Sequence, residues 1–345
     1  MSSTTKIKHT LHNIQALRAF AALLVILHHA LPHYEVMGGE LSWIKAVSSW
    51  GFVGVDIFFV ISGYIMAYTT FNKPRTYQSA LIFLKHRLFR IYLGYWPFFV
   101  AMLVILYKKK QLAGLDLWGS FWLTNDNMFQ LVLPVSWSLS YELYFYGLFS
   151  LTFFFSIPVL KRFFPLLSLF FVLLSLYLFL HPDLPQRFFY SHFLLEFFGG
   201  VILYIYRLKL MHLQLLPVIF LVATASYTLG IFYETQNGLL RIATFGTGAL
   251  MIVWLALIIE YRHLWSSPQI LITLGDTSYT LYLSHLIILE LFYYSGLRDF
   301  FTSPHTIVSP LLGLLTILFL CIIFSLLYYH YIEKPVYRAA LQRFS

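Results

Sequence analysis

IQALRAFAALLVILHHAL, residues 14–31, carries a single charge, Arg18, in eighteen residues. That is enough apolar chain to cross a hydrocarbon core as one helix, which takes ~17 to 25 residues. Runs of the same kind recur along the chain, at 51–68, 88–107, 137–157, 163–180, 188–206, 213–232, 242–259, 279–294 and 307–329. They predict an all-α fold, a polytopic transmembrane bundle of about ten helices. Composition agrees: 59% of the 345 residues are apolar and 11% charged, with a mean hydropathy of +0.75, which excludes a soluble globular class. Residues 1–12 are polar and show no small-residue cleavage site, so the first run is expected to stay as a helix.

An even number of spans puts both termini on one side, and the distribution of Lys and Arg selects the cytoplasm. Sixteen of the 23 then lie in inner segments, although the run Lys108, Lys109, Lys110 falls outside. The expected organisation is a cytoplasmic segment 1–13, a transmembrane domain 14–332 and a cytoplasmic segment 333–345. The net charge of +9 sits in short clusters between apolar runs, which fits topology and membrane lipid and argues against nucleic acid. The one cysteine, Cys321, lies in an apolar run, so there is no internal disulfide and no Cys/His metal motif. The longest connection, 108–136, mixes Trp118, Trp122 and Phe129 with polar residues, as interfacial or re-entrant segments do.

Ionisable residues inside spans are costly and need a partner, a cavity or a function. Arg18 and His29 are eleven residues apart, so at ~100° per residue they share a helix face, with His29 about 16 Å further along. They could line a single cavity; equally, an Arg at the inner headgroups and a His at the outer interface would account for both. His28 faces elsewhere. In GVDIFFVISGYIM (54–66), Asp56 could orient a base, pair with Arg18, or be a satisfied buried group, and Ser62–Gly63 reads as a close helix contact more readily than as a nucleophile.

HRLFRIY (86–92) sets Arg87 and Arg90 on one face at an inner helix end, offering two guanidinium forks to phosphates or simply anchoring the helix. SWSLSYELYFY (136–146) buries Glu142 beneath Trp137; the carboxylate could orient His29 or bind a sugar hydroxyl, with Trp137 and Tyr141 as a face for the ring. GDTSYTLYLSH (275–285) brings Ser278, Tyr282 and His285 to roughly one face, where His285 alone reads as a hydrogen-bonded helix contact. Glu196 and Glu290 are further intramembrane carboxylates without an assigned role.

In this order, Arg18-x10-His29, GVDIFFVISGYIM, Arg87-x-x-Arg90, the Trp-Ser-Leu-x-x-Glu segment ending at Glu142, SYTLYLSH and IEKP (332–335) together resemble the integral membrane acyltransferase family 3. Within it they look most like bacterial exopolysaccharide and O-antigen O-acetyltransferases. Pro97 comes later than the usual spacing after the arginine pair. The resemblance implies a multi-pass protein of the bacterial inner membrane that takes acetyl-CoA from the cytosol as acyl donor. The implied acceptor is a polysaccharide or lipid-linked oligosaccharide on the far side. It further implies His29 as general base, Arg18 or a neighbouring donor at the oxyanion, and Arg87 and Arg90 at the donor phosphates, with Ser62 beside them. Glu142 joins the catalytic set, and Asp56, Trp137, Ser278, Tyr282 and His285 support it. An acyl-enzyme on His29 or Ser62 is the alternative to direct transfer. No bound cofactor or metal is called for. The rival classes are a transporter or flippase of a lipid-linked sugar, whose path would also carry Arg, Glu and His, and a receptor-like scaffold without chemistry.

Overall fold

Helices apolar on every side need neighbours or lipid. The computed structural model describes residues 11–181, 183, 188–233, 238–302 and 308–344. The helices run α1 (His12–Val36), α2 (Ser42–Ser49), α3 (Gly54–Thr70), α4 (Tyr77–Lys108), α5 (Leu117–Trp122), α6 (Trp137–Ser150), α7 (Ile157–Leu180), α8 (Leu194–Ile205) and α9 (Arg207–Leu210). They continue with α10 (Leu216–Phe232), α11 (Gly238–Arg241), α12 (Thr247–Tyr261), α13 (Gln269–Asp276), α14 (Ser278–Tyr294), α15 (Leu297–Phe301), α16 (Val308–Tyr328) and α17 (Lys334–Phe344). No strand occurs among the described residues, so the expected all-α polytopic bundle is what forms.

Each of the ten expected runs is mostly helical, with breaks at 155–156 and 191–193; Ile307, at the start of the last, lies outside the described residues. Seven described helical segments are long and apolar enough to cross a membrane. The other three runs give α6, α8 and α14, which are shorter and carry Glu142, Glu196 and His285. Their polar residues shorten the apolar stretch and, for α6 and α14, mark the site.

One connection turns back within the bundle. Tyr92, Tyr95 and Trp96 of α4 donate to the carbonyls of Trp122, Ser120 and Phe121. Tyr92 is sixteen residues before the end of α4, about 24 Å back along the helix. The connection 109–136 therefore folds back deep along α4, the re-entrant of the two expected forms. By contrast, α2 and the 3-10 turn Gly51–Val53 lead straight into α3 and run back along α1 with it, where the Ser48 carbonyl meets His28.

The third run starts earlier than expected. Thr76 accepts a hydrogen bond from the backbone N–H of Ser79 and caps α4 at its true start. Arg87 and Arg90 are thus inside the helix, not at its end, and α4 continues through Pro97. Between α3 and α8 the backbones touch: a Cβ on Gly63 would lie 2.0 Å from the Phe197 carbonyl oxygen, and one on Gly200 2.0 Å from that of Val60. The close-contact reading of Ser62–Gly63 holds for Gly63.

Candidate active site

Four parts of the chain each line one cavity and, further along, a second. On α1 these are Arg18 and then His29; on α4, Arg87 and Arg90 and then Met102 and Leu106. On α14, Ser278, Tyr279 and Tyr282 precede Leu286 and Glu290, and around the start of α6, Ser138 and Glu142 line the first cavity and Val132 and Pro134 the second. The cavities share no lining residue.

The arginine cavity gathers Arg18, Arg87 and Arg90 with Glu142. Three guanidinium groups and one carboxylate line it, with Asp276 and Glu333 close behind the arginines, and guanidinium forks of this kind suit a phosphate-bearing ligand. Arg87 lies 5.4 Å from the Tyr146 ring centre and 5.7 Å from that of Phe83, which holds its fork at the wall. Glu142 accepts from the hydroxyls of Ser62, at 3.1 Å, and Tyr146. Tyr279 donates to the Ile91 carbonyl at 2.9 Å, so α14 is pinned to α4 beside the arginines.

The histidine cavity is lined by His29, His33, Gln111 and Glu290 among apolar residues that include Met128 and Phe129 of the re-entrant connection. Glu290 pairs with Lys109 at 2.8 Å, which gives the local exception to the charge rule a partner. Nδ1 of His29 lies 2.9 Å from the Val25 carbonyl oxygen. A carbonyl only accepts, so Nδ1 carries the proton and Nε2 keeps the lone pair. Fully buried His285 brings its Nε2 to 3.3 Å from the same Nδ1. That lone pair and its place in the cavity wall make His29 a base; its neighbour His28 also donates through Nδ1, to the Ser48 carbonyl at 3.0 Å, but packs edge-on to Phe52 and lines neither cavity.

Between the cavities, Tyr282 donates to the Val135 carbonyl at 2.7 Å and lies 2.9 Å from the Ser138 hydroxyl. His285, three residues further along α14, reaches His29.

Several expectations need correction. Arg18 and His29 share a helix face but not a cavity, because the bonded layer of Tyr282, Val135 and Ser138 lies between. Glu142 sits with Arg18 and not within the cavity of His29, since its half-length helix starts at that layer and runs away from it. Asp56 pairs with neither Arg18 nor a histidine: Arg241 takes both its oxygens, at 3.0 and 2.8 Å, and Asp56 lines neither cavity. Trp137 lines neither as well, because its ring is packed against Phe59 and Phe193. Tyr141 gives its hydroxyl to Asp126.

Ser62, Ser278 and Tyr282 do line the arginine cavity. Sequence reasoning passed over Tyr146 and Tyr279, although each was within reach of a signal: Tyr146 is four residues after Glu142 on α6, and Tyr279 lies inside SYTLYLSH.

Residues 11–330 match the profile of a family described as an acyltransferase domain. Curated relatives include the O-acetyltransferase OatA of Staphylococcus aureus strains NCTC 8325 and COL, each 30% identical over 173 residues. That match covers 45% of this chain and 26% of the relative, so the chain spans about a quarter of the length of those relatives. No solved structure matches significantly.

Proposed function

This chain belongs to acyltransferase family 3, and from that premise we propose that it transfers an acetyl or other short acyl group from cytosolic acyl-coenzyme A to a glycan hydroxyl on the far side of a bacterial inner membrane. The observation that carries the reading is the division of labour between the cavities. Three guanidinium groups line one, and a histidine with a free lone pair lines the other. The named activity of the relatives, O-acetyl transfer, supports the reaction type.

In this reading Arg87, Arg90 and Arg18 hold the phosphates of the donor, and its thioester arm extends across the Tyr282 layer toward His29. The acceptor occupies the histidine cavity. Its oxygen attacks the thioester carbonyl while its proton passes to Nε2 of His29; the tetrahedral intermediate then expels the thiolate, which takes the proton back. The place of Arg18 beside Arg87 and Arg90 favours donor binding over the oxyanion role. A carrier of lipid-linked sugar would move one ligand through one alternating site, and two cavities with separate linings fit a two-substrate enzyme better.

The direct test is purified protein in lipid with acetyl-labelled acetyl-CoA, together with mass spectrometry of surface glycan from wild-type and deletion strains. The reading expects label transfer and a loss of acetyl esters in the deletion strain. Unchanged glycan and no turnover of acetyl-CoA would overturn it.

A further inference from the structure

We propose that Gln15 and Asp276 are positioning residues that fix the Arg18 guanidinium in the arginine cavity, where it grips the phosphate-bearing end of the donor. The inference rests on reading that cavity as the coenzyme A site. Nη1 of Arg18 donates to Oε1 of Gln15 at 2.8 Å, and Nε2 of Gln15 donates to Oδ1 of Asp276 at 2.6 Å. A carboxylate only accepts, so the amide must turn its NH2 to Asp276, and its carbonyl is then the end presented to Arg18. Freed from Asp276, the amide can rotate and set donor against donor.

The arrangement is built into two helices. Gln15 and Arg18 are three residues apart on α1 and so are neighbours on its surface. Asp276 is the last residue of α13, which lies against α1 so closely that a Cβ on Gly275 would be 2.0 Å from the Gln15 carbonyl oxygen. Gly275 therefore allows the approach that brings Asp276 to Gln15. Two residues on, Ser278 lines the arginine cavity, so the segment that orients Arg18 also forms a wall of the site. An orienting pair is needed there: Arg87 and Arg90 line the same cavity, and like charges drive a long, flexible side chain away unless it is held.

The test is titration of coenzyme A onto purified wild type, Gln15→Leu, Asp276→Leu, Asp276→Asn, Arg18→Ala and the Gln15→Leu/Arg18→Ala double variant. Thermal unfolding without ligand serves as the control for folding. Losing the hold on one charged donor weakens binding roughly tenfold. Gln15→Leu and Asp276→Leu are expected to show that loss, and Asp276→Asn, which keeps an acceptor oxygen, to recover most of it. The double variant should bind no more weakly than Arg18→Ala, because Gln15 acts through Arg18. Losses that multiply in the double variant, or wild-type affinity in folded Gln15→Leu while Arg18→Ala is impaired, would overturn the assignment. Wild-type protein that ignores coenzyme A would overturn the functional reading itself, a result separate from either of these.

Discussion

His28 and His29 differ in what holds them, and function should separate them. His29 is fixed by the carbonyl one turn below on its own helix and lines a cavity, whereas His28 lines neither cavity and ties α1 to the end of α2. His29→Ala is therefore expected to cut transfer by ~10²- to 10⁴-fold, the usual cost of a positioned base, while still binding donor. His28→Ala should retain most transfer and lose thermal stability. Equal losses of transfer in two folded variants would contradict the assignment of the base to the histidine that lines the cavity. The spacing of Arg18 and His29 was legible because helical periodicity fixes which face a residue takes. Spacing carries no information on what stands between them, so the separate cavities were not. Asp56 shows the same limit: its partner Arg241 is 185 residues away, and nothing local announces the pair.

At the scale of elements, that pair ties the first turn of α3 to α11, with Asp56 fully buried. Removing one member leaves a buried charge and costs ~3–5 kcal/mol, more than the pair itself contributes. Arg241→Met should lower the unfolding temperature markedly, and Asp56→Asn added to it should restore part of the loss. A double variant less stable than the single one would show that the pair is not what couples these helices. The α3–α8 contact makes a second prediction. Gly200→Val forces a side chain into the Val60 carbonyl and is expected to reduce folded protein in the membrane, seen as loss of a sharp gel-filtration peak, far more than Gly147→Val. No atom lies within 4 Å of a Cβ at Gly147. The apolar runs made every long helix readable in the sequence. The re-entrant connection was readable only as one of two forms, because its aromatic residues suit either; the hydrogen bonds from α4 decide between them.

For the whole molecule, the proposed sidedness puts the connection after α3 in the cytosol and the one after α1 outside. The single cysteine, Cys321, is fully buried, so introduced cysteines report cleanly. In whole cells a membrane-impermeant maleimide should label Glu40→Cys, and it should reach Lys73→Cys only after permeabilisation; the reverse pattern would invert the topology. The central claim is that donor binding and chemistry occupy different cavities on one path. It is tested most directly by measuring coenzyme A affinity and acetyl transfer on the same preparations of His29→Ala and Arg87→Ala/Arg90→Ala. The account predicts opposite patterns. His29→Ala binds donor like wild type and does not transfer, whereas the arginine variant binds weakly and regains transfer as acetyl-CoA is raised. Parallel loss of binding and transfer in both folded variants would contradict it.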